Sequence, residues 1–204
     1  MEIVATEPCV FSDRGIFMTK TIMKDFPLAK VFQLLEPGPV VLVTTANKKK
    51  NNIMTMSWHM MMEFEPPLIG CVISSCNYSF AALRATKECV IAIPAVDIAT
   101  RVVEIGNCSG LEVDKFETFG FTPMPGEKVK APLIAECLAN LECCVVNTTL
   151  VNKYCLFVLE VVKAWANPSR KERRTIHANG DGTFVVDGRT VNLKSKMTKW
   201  PSFI

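Results

Sequence analysis

Asn51-Asn52-Ile53-Met54-Thr55-Met56-Ser57-Trp58 changes character at nearly every step. A side-chain period of two puts Asn52, Met54, Met56 and Trp58 on one face and Ile53, Thr55 and Ser57 on the other. That period belongs to a strand rather than a helix. The residues before it, Val40 to Ala46, are rich in β-formers, and Asn47 to Asn51 is a polar turn, so the two runs read as a hairpin.

Working outward, the chain continues as short strands with a few short helices. Pro66-Pro67 breaks the chain, and Leu68 to Ser74 reads as a third strand, buried on both faces. Ser79 to Lys87 reads as a short helix and Cys89 to Ile93 as a strand. Asp97 is placed to cap a helix carrying Ile98, Val102 and Ile105. Cys108 to Val129 is a long loop with a helical turn near Asp114 to Phe119. Leu138 to Thr148 and Tyr154 to Trp165 are long strands about a turn at Val151-Asn152. Thr183 to Val186 is a short strand between Gly-rich turns. Upstream, Pro27 opens a helix with Leu28, Val31, Phe32 and Leu35 at helical spacing. This is no βαβ alternation, so a Rossmann sheet is not expected. The pattern predicts a mainly β (α+β) chain: a barrel with a few appended helices. Residues 1–26 form a leader, 27–193 one domain, and 194–204 a tail.

Composition narrows the function classes. The chain has 204 residues, 49% of them hydrophobic, enough for one sizeable core. The mean hydropathy of +0.23 suggests apolar surface covered by a partner or a cofactor. A net charge of +3, with Arg170, Lys171, Arg173 and Arg174 read as a solvated face, makes no case for nucleic acid. No apolar run reaches the roughly 18 residues of a membrane span. Glu2, Glu7 and Asp13 with no apolar stretch argue against a signal peptide. A cytoplasmic protein is expected. The nine cysteines include no C-x-x-C and no zinc or iron–sulfur spacing. They read as reduced, buried thiols of a reducing cytosol, and no metal site is expected.

Two segments carry chemistry. In the opening strand, Thr55 and Ser57 offer hydroxyls beside backbone amides, and Trp58 offers a flat apolar wall. A planar heterocycle with carbonyl and N–H edges can be read by such a set. Taken alone, the segment also reads as an ordinary amphipathic strand with its hydroxyls in water. The second segment is Ser74-Ser75-Cys76-Asn77-Tyr78-Ser79-Phe80, between a buried strand and a helix. Its hydroxyl and amide side chains share a place with the free N–H groups of a helix start, which can hold a phosphate. A plain cap by Asn77 or Ser79 is the other reading, and the two are compatible.

In order and spacing the chain resembles the flavin reductase-like family with the FMN-binding split β-barrel, most closely its flavoredoxin branch. The matching text is Pro39-Val40-Val41-Leu42-Val43-Thr44-Thr45, Asn52 to Trp58, Pro66-Pro67-Leu68-Ile69 and Asn77-Tyr78-Ser79-Phe80, then Cys108-Ser109-Gly110 and Asp114-Lys115-Phe116. The resemblance spans about residues 28 to 165. It implies that Met54, Thr55, Met56, Ser57 and Trp58 lie along the isoalloxazine ring, with Asn52 nearby. It implies that Ser75, Asn77 and Ser79 hold the phosphate and ribityl chain, and that Lys115 reaches the flavin. A cation near the N1–O2 edge suits the charge of a reduced flavin. The resemblance also implies a homodimer with the flavin near the subunit interface.

The implied activity is electron transfer through FMN to a second acceptor, with no catalytic side chain. The donor is either NAD(P)H stacking transiently on the ring, since no G-x-G-x-x-G follows a strand, or another redox protein. A non-catalytic FMN carrier or flavin-sensing module is the alternative. His59, beside the ring strand, is a candidate proton donor or a plain surface or core-edge histidine. Met60, Met61 and Met62 read as interface or core filler. Cys71 and Cys76 border the site without an evident activating charge.

Overall fold

The computed structural model describes residues 38–48, 50–193 and 195. The leader, the helix read from Pro27 and, apart from Ser195, the tail lie outside the described residues. Seven strands form one antiparallel sheet in the order β2-β1-β5-β8-β9-β4-β3. They are β1 Val41–Asn47, β2 Lys50–Met56, β3 His59–Glu63, β4 Leu68–Val72, β5 Glu88–Ile93, β8 Ala139–Asn147 and β9 Leu156–Ala166. Two small sheets pair β6 Pro123–Met124 with β7 Leu133–Ile134 and β10 Ile176–Ala178 with β11 Phe184–Val186. Four short helices are described: α1 Tyr78–Thr86, α2 Ala99–Gly106, α3 Lys115–Thr118 and α4 Val151–Tyr154.

The hairpin read from the sequence is present, in the register Val41↔Met56 to Asn47↔Lys50. Its strands keep the expected length but run closer together, so the turn is tighter than expected, and Lys48 takes a positive φ of 47° there. β2 and β3 are the two edges of the sheet, yet they are consecutive in the chain. They join through Ser57 and Trp58, where the Val72 N–H donates to the Trp58 carbonyl at 3.0 Å. Met56 of β2 and Ile69 of β4 share one core cluster despite lying far apart in strand order. A flat sheet does not allow that; a rolled one does, which is the split barrel.

The alternation of β2 has a concrete meaning in this roll. Met54 and Met56 point into the barrel with Val41, Val43, Cys71, Phe157 and Leu159. Ile53 points outward, into a second cluster with Leu42, Val102, Ile105 and Phe116. Each fully buried aliphatic side chain contributes roughly 1.5–3 kcal/mol. Burial on both faces therefore holds β1 and β2 between the barrel core and α2. α1 docks through Leu83 and Phe80, whose ring meets Phe157 edge-on at 5.5 Å.

Some sequence expectations are corrected. His59–Glu63, with no alternation, is a strand because β4 pairs with it, and its methionines are exposed rather than core. Asp97 caps no helix. It lies in a 3-10 turn and receives two bonds from Arg170 at 2.5 and 2.6 Å. The turn at Val151-Asn152 is the helix α4. The loop after Cys108 contains β6 and β7 as well as its helical turn. It is held from beneath by Glu142, which is fully buried. The Glu142 carboxylate accepts from the backbone N–H of Glu127, Lys128 and Val129 and from Trp165 Nε1, at 2.6–3.1 Å.

Candidate functional site

The end of β2, the turn before α1, the C-terminal end of α2 and the start of α3 line two adjoining pockets, taken together as the two ends of one cleft. It has a narrow end of about 170 Å³ and a broad end of about 260 Å³. Met54 and Asn77 line both. Together the two ends lie within the size class of small-molecule sites, roughly 300–1,000 Å³. Asn52, Ser79 and Lys115 line the narrow end, and Thr55, Met56, Ser57 and Trp58 the broad end. Of the ten cofactor residues read from the sequence, Ser75 stands outside the cleft wall, in the exposed turn before α1. Residues more than sixty apart in the chain thus share one cavity.

The narrow end is polar and closely built. Asn52 is buried, and its amide Nδ2 donates to Ser79 Oγ at 2.8 Å. Asn77 occupies the N-cap of α1, yet its side chain makes no cap bond. The polar group is therefore not spent on the helix; of the first-turn N–H groups, that of Phe80 donates to the Asn77 carbonyl at 3.0 Å, while those of Tyr78 and Ser79 lie ahead of the first i−4 acceptor. Gly110 lies so close to Asn52 that a Cβ there would overlap its amide and reach Tyr78 Cδ1 at 2.8 Å. The glycine of Cys108-Ser109-Gly110 is thus a close-approach glycine. Lys115 is buried, and its Nζ donates to the Ile105 carbonyl in the last turn of α2 at 2.8 Å. A cation there meets the negative end of the helix dipole. Burial lowers the Lys115 pKa, with Cys108 nearby opposing the shift. Of the three ammonium protons, one bond is accounted for and the others are available to a ligand. The residue sits there because Asp114 caps α3, accepting from the Phe116 and Glu117 N–H groups at 3.0 and 3.2 Å.

The broad end is flatter and more apolar. Trp58 is 57% exposed and forms one wall. The Thr55 hydroxyl donates to the Val102 carbonyl at 2.5 Å, which ties β2 to α2. Its oxygen is thus committed to the fold, which the residue pattern did not reveal. His59 Nε2 donates to the Pro39 carbonyl at 2.7 Å, so that ring ties β3 to the segment just ahead of β1.

Several lining residues were not singled out as ligands from sequence: Tyr78, Gly106, Asn107, Cys108, Ser109 and Gly110. The signal was the Cys-Ser-Gly text itself, whose role depends on α2 bringing it beside Asn52. Lys50 Nζ lies 5.4 Å from the centre of the ring of Tyr78, which lines the narrow end. Cys71 lies inside the barrel, where burial, aided by Cys143, pushes its thiol up to about 12. Cys76 is exposed and lines the narrow end. No group of three or more metal-ligating side chains occurs among the described residues, and none of the described helices is long and apolar enough to cross a membrane.

The geometry suits a molecule with an anionic end and a flat, mostly apolar end. A helix start without a side-chain cap, a close-approach glycine and a buried ammonium converge at the narrow end, while an exposed indole flanks the broad one, where Met54 and Met56 line the wall with their side chains turned into the barrel. The family described as flavin reductase like domain matches residues 35–184. An uncharacterized protein of Archaeoglobus fulgidus is 35% identical over 66% of this chain and 76% of its own length. The uncharacterized protein YddH of Escherichia coli is 31% identical, covering 78% and 92%. An FMN-binding domain of a flavin reductases-like enzyme from Shewanella baltica superimposes with a TM-score of 0.71 at 25% identity, over 82% of this chain and 95% of that one. Flavoredoxin of Desulfovibrio vulgaris shares the fold at a TM-score of 0.70 and 23% identity, over 76% and 90%.

Proposed function

The chain belongs to the flavin reductase like domain family, and on that premise we propose that its cleft holds FMN and that the protein transfers electrons through it. One observation carries the reading. Asn52, Met54 to Trp58, Asn77 to Ser79 and Lys115, far apart in the chain, line two adjoining pockets, one polar with a cation and the other more apolar and walled by an indole.

Asn77, Ser79 and the first-turn N–H groups of α1 would take the phosphate, since a helix start favours an anion. Lys115 would neutralise negative charge on the cofactor. Met54, Met56, Ser57 and Trp58 would lie along the ring, with Thr55 contributing backbone while its hydroxyl holds α2. When bound, the flavin itself supplies the hydride and electron chemistry, while the chain positions the ring and tunes its potential. No side chain of the cleft is required as a nucleophile. The electron donor is a nicotinamide visiting the open side of the cleft, or a redox protein, and the acceptor is a second molecule at the same place.

We also place a second copy of this chain over the broad end. Trp58, Met60, Met61, Met62 and Phe64 are all exposed, at 46–68%, along the edge strand β3 and its flanks. Exposed methionines and aromatics in a row favour a protein contact.

The test is an absorbance and fluorescence titration of the purified chain with FMN, followed by anaerobic addition of NADH or NADPH. FMN fluorescence is quenched on binding, and the flavin absorbance bleaches with a nicotinamide or, failing that, with a reduced redox protein. Absence of quenching rules out the site. Binding without bleaching by any donor identifies a carrier or sensing module instead.

A further inference from the structure

Two thiols line the narrow end of the cleft, Cys76 and Cys108. They differ from the cysteines in the cores. Cys71, Cys89, Cys137 and Cys143 are buried. Burial pushes Cys71 and Cys137 up to about 12. The bond to Cys143, and then burial, raise Cys89 as well. Those thiols are inert fillers.

Cys108 is placed differently. Its Sγ lies 3.7 Å from the Ile105 carbonyl oxygen. The Lys115 ammonium donates to that same oxygen at 2.8 Å. Thiol and ammonium are thus held on one acceptor atom, and each belongs to the wall of one small cavity. A cation beside a sulfur stabilises the negative charge that the sulfur carries when it attacks an electrophile. Cys76 lines the same cavity from an exposed turn.

We infer that Cys108 and Cys76 make the narrow end of the cleft an electrophile-responsive site, that Cys108 reacts first, and that its modification excludes the cofactor. The gating part rests on the reading of this end as the phosphate site. The oxidant is a hydroperoxide, hydrogen peroxide in the simplest case. The Cys108 sulfur attacks one peroxide oxygen. The S–O bond forms as the O–O bond breaks. The departing hydroxide takes up the thiol proton and leaves as water. Cys108 is oxidised by two electrons to a sulfenic acid, and the peroxide is reduced. Any group added to this sulfur occupies part of a cavity of only about 170 Å³. It also stands between Lys115 and an incoming phosphate.

The experiment uses the full chain treated with hydrogen peroxide in the presence of dimedone, which traps sulfenic acids. Peptide mass spectrometry locates the adducts, and FMN quenching is titrated before and after. The adduct is expected on Cys108 ahead of every other cysteine. FMN at ten times its Kd should slow the labelling about tenfold. The treated chain should lose most of its FMN binding. Cys108→Ser should keep after treatment whatever affinity it had before. Lys115→Gln should slow Cys108 labelling about tenfold in the absence of FMN, a readout that does not depend on the serine variant folding. Labelling elsewhere with Cys108 unmodified overturns the inference. FMN binding unchanged by a stoichiometric Cys108 adduct overturns the gate alone. If the untreated chain takes up no FMN, the cofactor reading falls and the gate with it, while the labelling order still reports the thiol.

Discussion

Replacing Lys115 by methionine separates what this residue does for the fold from what it does for a ligand. The ammonium is buried and donates to Ile105 O at 2.8 Å. A hydrogen bond to a charged group contributes about 1.5–3 kcal/mol. If one of the remaining ammonium protons serves the cofactor, its loss weakens FMN binding about 10- to 150-fold. The effect on the free protein is smaller. Methionine removes the burden of burying a cation, but it leaves the Ile105 carbonyl without its donor. The pH dependence has a definite sign. Burial lowers the Lys115 pKa below its ordinary 10.5. In the free protein the charged form thus costs stability below the folded pKa, and that cost is relieved as pH rises from the folded pKa toward 10.5. Affinity for an anionic cofactor runs the other way, falling as pH rises through the lowered pKa. The assay is FMN quenching at low salt from pH 6 to 10, with urea unfolding of both chains alongside. Lys115→Met should lose affinity and flatten that pH profile. A Kd within about threefold of the parent's at pH 7, with the profile retained, would refute the role.

Other predictions follow from single contacts. Ser79→Ala removes the acceptor of the Asn52 amide, 2.8 Å away, and should weaken FMN more than riboflavin, by about tenfold; equal losses in two parallel titrations would argue against a phosphate contact. Gly110→Ala forces a Cβ against Asn52 and Tyr78 and should destabilise the chain by about 1–3 kcal/mol in urea unfolding while lowering FMN affinity; unaltered values for both would show that the close approach is not required. Glu142→Gln places an amide NH₂ against backbone N–H donors and should cost about 2–5 kcal/mol, from one or two buried donors left unsatisfied. Although burial alone would raise the Glu142 pKa, the Trp165 bond and the three backbone N–H groups hold it below its ordinary value. Its stabilisation is therefore present above the unfolded pKa and lost as pH falls through the folded one. The Gln variant should lack that acid-side decline, and identical pH profiles in denaturant titrations would count against the carboxylate.

Much of this was legible from residue order. The alternation of Asn52 to Met56 specified a strand with two unlike faces, and the structure buries Met54 and Met56 on one side and Ile53 on the other. The hairpin, α1 and the helical turn of α3 followed from period and from turn residues. β3 did not, because His59-Met60-Met61-Met62-Glu63 has no period; pairing with β4 makes it a strand. The use of Asp97 was misread for a related reason. Its acceptor capacity suits a cap, but Arg170, seventy-three residues away, arrives first.

The candidate site divides along the same line. Local sequence determined which residue types were available: hydroxyls and an indole at the end of one strand, an Asn-Tyr-Ser turn at a helix start, a lysine one residue after a capping aspartate. Side-chain period and capping act over a few residues, so they can be read along the chain. Only the tertiary structure decided that Lys115 and Cys108 share the Ile105 carbonyl, that Gly110 lies against Asn52, and that the Thr55 hydroxyl is taken by α2. These contacts depend on how a rolled sheet carries α2 and the following loop across the end of β2. Packing between distant segments leaves no period in the sequence to announce it.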